Sequence, residues 1–289
     1  MINTVKLFKI IRHYNILYII ISNNFEIPKH IYQTFETWEN IPETFKKRIK
    51  ITRTINKNYE YHFYDNKNCE KYILETYGKD IFDIYNSISK DYNAARADLF
   101  RYLIIYDKGG IYFDIKSYPV KPLDQIITPT DKLLLSSWFY KYWEQYLHTG
   151  YGEFQNWFVI AKPRHTYIKN VIKLIINKIL HSNKNQYREK KGVLWLTGPI
   201  TYTQGMISLL KSKEYTFKPN SYGKMFSYNG IKTPELGEPP SRNFWNAHIK
   251  EYKNHHYTNA RGDIINHDKI IHLKNEKKYN LIIKQLDLL

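Results

Sequence analysis

The sequence predicts an α/β domain with a mostly parallel central sheet flanked by helices. Three observations predict it. A β-branched and aromatic stretch, HIYQTF, is followed by a basic helical stretch and then by a second strand-like stretch, YEYHFY. An apolar helical segment, DYNAARADLFRYLIIYDK, stops at Gly109-Gly110 and hands over at once to IYFDI. Helix-like and strand-like segments continue to alternate toward the C-terminus.

Taken in order, Pro28 precedes the first strand, which leads into an aromatic loop from Phe35 to Trp38. Residues 42–57 read as a short basic helix, and Asp65 and Asn66 end the second strand with turn chemistry. From Asp91 to Lys108, Ala, Leu and Ile recur at helical spacing, with Asp91 as the expected N-cap. The next strand carries Asp114 to its carboxyl end, where open α/β sheets bind ligands. Trp157 to Ala161 reads as another apolar strand, and His165 to Leu180 as a helix with Ile168, Ile172, Ile175, Ile176 and Ile179 inward. Residues 182–192 read as a polar connection, and LWLTGP enters a helix near Ile200 to Leu210 capped by Thr197 or Thr201. Residues 216–262 look irregular, DIINHDKIIHL reads as a last strand, and Lys277 to Leu286 as a closing helix. No repeat, long linker or composition break calls for a second domain.

With 43% hydrophobic and 25% charged residues over 289 positions, the chain has the composition of a globular protein rather than a disordered or fibrous one. Its one cysteine, Cys69, excludes an intrachain disulfide framework and a cysteine-only zinc site. The net charge of +17 would attract anions, yet the lysines are scattered among abundant Asn, Ile and Tyr. No paired-cysteine finger, basic zipper or RNA-binding sheet signature is present, so no specific nucleic-acid partner is expected. In the segment 1–25, the apolar run from Ile16 to Ile21 is about a third of a bilayer span, and Arg12, His13 and Asn15 interrupt it upstream. No A-x-A-like cleavage site follows, so this segment is expected to pack on the domain or to make a peripheral membrane contact. The expected location is cytoplasmic.

The candidate chemistry lies in residues 94–116. Asp98 and Arg101 are three apart on a helix and share a face, while Tyr102 and Leu103 begin to turn away. A carboxylate beside a guanidinium can accept sugar hydroxyls and donate to phosphate oxygens, although a solvated helix ion pair is the ordinary alternative. Asp114 at the strand end converges on the same place and is a suitable oxygen ligand for a divalent ion. Outside this segment, Trp138, Phe139, Tyr140, Tyr142, Trp143 and Tyr146 could stack on a sugar, a role that competes with core or lid packing. His255-His256 lacks a third ligand spaced nearby, and Asn156 could reach the site from a strand edge.

ARADLFRYLIIYDKGGIYFDIK resembles glycosyltransferase family 32, the transferases with a D-x-D sugar-binding region. The family includes fungal mannosyltransferases, bacterial capsule enzymes and copies in giant DNA viruses, and it is related to clostridial glucosylating toxins. The resemblance begins at IPKHIYQTF and continues weakly through TGP at 197–199.

It implies a single GT-A-type nucleotide-diphospho-sugar transferase domain over 26–289, with a donor-nucleotide half, 26–134, and an acceptor half, 135–289. The implied reaction moves a hexose from a UDP- or GDP-sugar to a hydroxyl of a glycan, glycolipid or glycoprotein, with retention. By resemblance, Asp98 and Arg101 hold the donor sugar and form the catalytic set with Asp114, and Tyr112 lies against the nucleotide. Ile31, Tyr32, Gln33 and Thr34 line the base pocket, Gly110 and Lys116 belong to the donor-binding set, and His272 joins Asp114 as a ligand of Mn2+ or Mg2+.

One departure matters: Lys116 stands where the family usually has its second acid, as in viral-like variants. If Lys116 points away, Asp114 must hold the ion with His272, Asp263, His267 or Asp268. If it points inward, its ammonium neutralises diphosphate charge. Metal dependence is therefore expected to be weak. The alternative is a catalytically inactive relative that binds nucleotide sugars or glycans. For a viral chain the location would be the viral factory or host cytoplasm.

Overall fold

The computed structural model describes residues 25–137, 147, 152–207, 216–217, 226–228, 231–232 and 259–288. The first strand, β1 (His30–Thr34), leads to helix α1 (Glu43–Ile55) and strand β2 (Glu60–Tyr64), which pairs with β1 in parallel from His30↔Glu60 to Thr34↔Tyr64. This is the strand, helix, strand unit that the sequence predicts. Phe45, Ile49 and Thr52 face inward from α1, and the first two join Ile41 and Ile115 in a small apolar cluster.

Helix α2 (Asn66–Ser87) starts where Asp65 Oδ1 accepts from the Asn68 amide at 2.7 Å and breaks its helical backbone at Gly78. Its buried Cys69, Ile73, Tyr77, Ile81 and Ile84 recur every three or four positions, an apolar stripe not singled out in the sequence reading. Helix α3 (Asn93–Lys108) is buried almost all round, from Ala95 to Tyr106. The expected Asp91 cap is corrected: Asp91 lies in a 3-10 turn (Lys90–Tyr92), and Ser89 supplies the capping oxygen to the Asp91 amide.

Gly109 ends α3 at φ 64°, its amide donating to the Ile105 carbonyl at 2.9 Å. A Cβ at position 109 would lie 2.5 Å from the Pro163 backbone nitrogen. Only glycine combines that left-handed backbone with so close an approach. The chain then enters β3 (Gly110–Phe113), which pairs in parallel with β1 through Ile31↔Ile111 and Tyr32↔Tyr112.

Strands β4 (Ser117–Pro119), β5 (Leu133–Leu135) and β6 (Phe158–Ala161) follow, then helices α4 (Thr166–His181), α5 (Glu189–Leu196) and α6 (Pro199–Ile207). Short strands β7 (Thr216–Phe217), β8 (Phe226–Tyr228) and β9 (Ile231–Lys232) precede the last helix, α7 (Glu276–Leu288). The main sheet has the order β2-β1-β3-β6-β5-β7, and β4, β8 and β9 form a second, small sheet. Three of the five pairings in the main sheet are parallel, and β6 is antiparallel to both β3 and β5, so the sheet is mixed.

Two-residue alternation divides the core. Tyr32, Tyr112, Val159, Ala161, Leu133 and Leu135 face the larger cluster, built with α2, α3, α4, α5, α6 and α7. Ile31, Ile111, Phe113, Leu134, Phe158 and Ile160 face a smaller one completed by Leu123, Ile126 and Ile127. Two further expectations are corrected. The supposed polar connection 182–192 already enters α5 at Glu189. In the supposed last strand, Ile265 forms only an isolated bridge to Ile88. Asn266 then accepts from the Asp268 amide at 3.1 Å and starts a 3-10 helix (His267–Leu273). Among the described residues, no helix is long and apolar enough to cross a membrane.

Gly109→Ala should destabilise the fold by roughly 2–4 kcal/mol, from left-handed backbone strain plus the Pro163 collision. Urea unfolding checks this, and an unchanged midpoint would contradict the packing described.

Candidate functional site

Helix α3 runs back along the sheet, so its N-terminal half lies near the end of β3 from which Asp114 emerges. Asp114 is held there by its amide, which donates to the Trp157 carbonyl at 2.8 Å. Between them sits the Arg101 guanidinium, 3% exposed. Arg101 Nη2 contacts Asp98 Oδ1 at 2.9 Å and Asp114 Oδ1 at 2.8 Å. Nη1 donates to the Asn156 carbonyl, and the guanidinium carbon lies 4.8 Å from the Tyr112 ring centroid.

Asp98, 5% exposed, has both oxygens engaged. Asn156 Nδ2 donates to Oδ1 at 3.1 Å and Thr197 Oγ1 to Oδ2 at 2.9 Å. Asn156 Nδ2 also lies 3.0 Å from the Tyr102 hydroxyl, which donates to the Thr197 carbonyl at 3.0 Å. Asp114 is the outward member, its side chain 26% exposed. Its carbonyl accepts from Gln33 Nε2 at 3.1 Å, and the Tyr61 hydroxyl in turn donates to Gln33 Oε1 at 3.0 Å.

Burial pushes the Asp98 carboxyl up to about 6, against the Arg101 charge and with the help of Asp114. Burial also raises Asp114, opposed by Arg101 and then by Lys116. For Arg101, burial works against the charge, but Asp114 and Asp98 outweigh it and hold the guanidinium protonated. With Lys116, two acids face two bases, so the cluster is neutral when both acids are ionised.

The structure brings together Asp98, Arg101, Asp114 and Lys116, with Gln33 behind them. It corrects other expectations. Tyr112 is 1% exposed; its ring supports Arg101 and its hydroxyl meets Thr34 Oγ1 at 3.0 Å, so it offers no face to a nucleotide. Ile31 and Tyr32 are core residues on opposite faces of the sheet. Gly110 lies at the opposite end of β3 from Asp114, with room for a Cβ removed by the His30 carbonyl at 2.7 Å. His272 is half exposed and directs Nε2 to Asp83 at 3.1 Å rather than to Asp114. Asp263 accepts from the Asn185 amide at 2.6 Å, and His267 Nδ1 lies 2.9 Å from the Lys274 ammonium. The aromatic stretch 138–146 and His255-His256 lie outside the described residues.

Asn156 does reach the site, but toward Asp98 and Arg101 rather than outward. Tyr102 belongs to the same network, against the expectation that it turns away. Its i,i+4 spacing from Asp98 is the signal that finds it. Thr197 was expected as a cap, and nothing local in the sequence links it to Asp98.

A hard divalent ion needs several oxygen ligands. Here one carboxylate, already paired with Arg101 and facing the charge of Lys116, is the donor that Asp114 offers. The neighbouring acid, Asp98, is buried with both oxygens already engaged by Arg101, Asn156 and Thr197, so this donor set fits a metal poorly.

A family model described as a glycosyltransferase sugar-binding region containing a DXD motif matches residues 42–133, the span holding Asp98, Arg101, Asp114 and Lys116. That matched span, about a third of the chain, is similar to the sugar-binding region of these glycosyltransferases. Similar proteins include HOC1 of Saccharomyces cerevisiae, named as a glycosyltransferase, at 29% identity over 31% of this chain and 24% of that protein. The initiation-specific alpha-1,6-mannosyltransferase of Schizosaccharomyces pombe is 28% identical over 40% of this chain and 31% of its own length. The chain thus spans less than a third of these relatives' length. Among solved structures, the PaToxG glycosyltransferase is similar at a TM-score of 0.48 and 17% identity, covering 97% of each chain. The expected α/β class is borne out by the central sheet flanked by helices.

The raised carboxyl of Asp98 has a signed consequence. Because its folded value, about 6, exceeds the ordinary 3.8, its protonation stabilises the fold fully below about pH 4, and that contribution is lost as pH rises through 6. The stability advantage of wild type over Asp98→Asn should therefore shrink between pH 4 and pH 7. Urea unfolding across that range checks it, and a constant difference would contradict the assignment.

Proposed function

We propose that this chain transfers a hexose from a UDP- or GDP-sugar to a hydroxyl of a glycan, glycolipid or glycoprotein, with retention at the anomeric carbon. The supporting observation is the Asp98–Arg101–Asp114 cluster, a charged group buried at the carboxyl end of β3 inside the family-matched span. The mannosyltransferase names of its relatives make mannose the first sugar to test.

In this reading Asp114, the partly exposed acid, meets the donor. Arg101 fixes Asp114 and lends positive charge toward the departing diphosphate, while Asp98 is a positioning residue that aligns Arg101 with the help of Asn156 and Thr197. Lys116, whose charge already acts on Asp114, neutralises phosphate charge where the family usually has its second acid. Donor binding at a site of fixed charges favours separation of the sugar from its diphosphate, and closure against water protects the electron-poor sugar.

The presence of Lys116 also favours one rival: a chain that binds nucleotide sugar without turning it over. Rates of sugar release and transfer from a UDP- and GDP-sugar panel, mannose donors first, separate the two. Turnover should fall at least about 100-fold in Asp114→Ala. It should change little between manganese and strong chelator. Donor binding with no release or transfer in wild type would establish the binding-only reading, and loss of all activity in chelator would overturn the role given to Lys116.

A further inference from the structure

The first two strands place three potential ligands on one face of the sheet. His30 and Glu60 are register partners, as are Tyr32 and His62, so alternation brings His30, Glu60 and His62 to the same side. His30 Nδ1 lies 3.1 Å from His62 Nε2 and 3.3 Å from Glu60 Oε2, and His62 Nε2 lies 3.7 Å from Glu60 Oε1. A tetrahedral ion with bonds of about 2.0–2.1 Å holds its ligands about 3.3–3.4 Å apart. The two imidazole nitrogens and the nearer Glu60 oxygen of each lie close to that spacing, and one donor atom from each residue lies within 4.8 Å of the other two.

Hydrogen bonding accounts for the convergence less well. One proton can lie between the two imidazole nitrogens, yet each nitrogen also approaches a carboxylate oxygen, which only accepts when ionised. A cation answers all three lone pairs together. The Tyr32 ring, stacked on His62 at 5.0 Å and 16°, holds that imidazole in its plane. The ligands remain reachable: His30, Glu60 and His62 side chains are 36%, 67% and 27% exposed.

We propose that His30, Glu60 and His62 form a binding site for a divalent transition ion of the Zn2+ class, with three protein ligands and a remaining position for water. The site is independent of the sugar-transfer reading. It lies at the opening of β1 and β2, with the His30–Glu60 row about 13 Å and His62 about 7 Å along the strand direction from the row of Thr34 and Asp114. Bound there, the ion clamps the parallel pair that starts the sheet.

The test is calorimetric titration of Zn2+ into tag-free, chelator-treated full-length protein, with Co2+ as a visible-absorption probe of tetrahedral geometry. Wild type and Asp114→Ala should each bind one equivalent at this site. His62→Gln and Glu60→Gln, verified as folded by circular dichroism, should bind it at least about 100-fold more weakly, since even outer partners of metal ligands contribute 10–100-fold. No Zn2+ binding by wild type, undiminished binding by both ligand variants, or loss in Asp114→Ala would each overturn the proposal.

Discussion

A guanidinium removed from water must have its charge and its donors satisfied at once, and Arg101 is where this chain meets that demand. Two carboxylates answer the charge, the Asn156 carbonyl takes a further donor, and the Tyr112 ring supports its face. The partners come from three parts of the fold: Asp98 from α3, Tyr112 and Asp114 from β3 and its end, and Asn156 from the approach to β6. The cluster forms only when helix and strands lie in register. Its cost in burial is therefore also a constraint on the architecture around it.

That register depends on the reversal at Gly109-Gly110. The glycine pair lets α3 turn back into β3 against Pro163 and the His30 carbonyl, so that the start of the helix and the end of the strand face each other. A side chain at either position would shift β3 relative to α3 and move Asp114 from Arg101. The two-sided core then holds the strand in place, with Tyr112 on one face and Ile111 and Phe113 on the other.

Much of this was legible in the sequence because the signals were local. The βαβ unit announced itself through HIYQTF, a basic helix and YEYHFY; the Gly-Gly stop and the acid at the strand end pointed to the candidate site, where Asp98, Arg101 and Asp114 meet. What was not legible depended on contacts distant in sequence. The antiparallel direction of β6 follows from its pairing with β3, not from the apolar run Phe158–Ala161. Thr197 reaches Asp98 across 99 residues. DIINHDKIIHL has strand-like composition, but Asn266 caps a 3-10 helix within it, and His272 then faces Asp83. Tyr112 shows a limit of motif matching: a residue inside a matched segment serves the core as readily as a ligand.

In the proposed function Asp114, fixed by Arg101, is the group that meets the donor. Calorimetric titration of UDP- and GDP-sugars into wild type and Asp114→Asn tests it most directly, because the amide keeps the shape of the side chain and removes its charge. One donor should bind wild type and bind the variant at least about tenfold more weakly, the loss of a charge-assisted contact. Equal affinity of that donor for both proteins would contradict it.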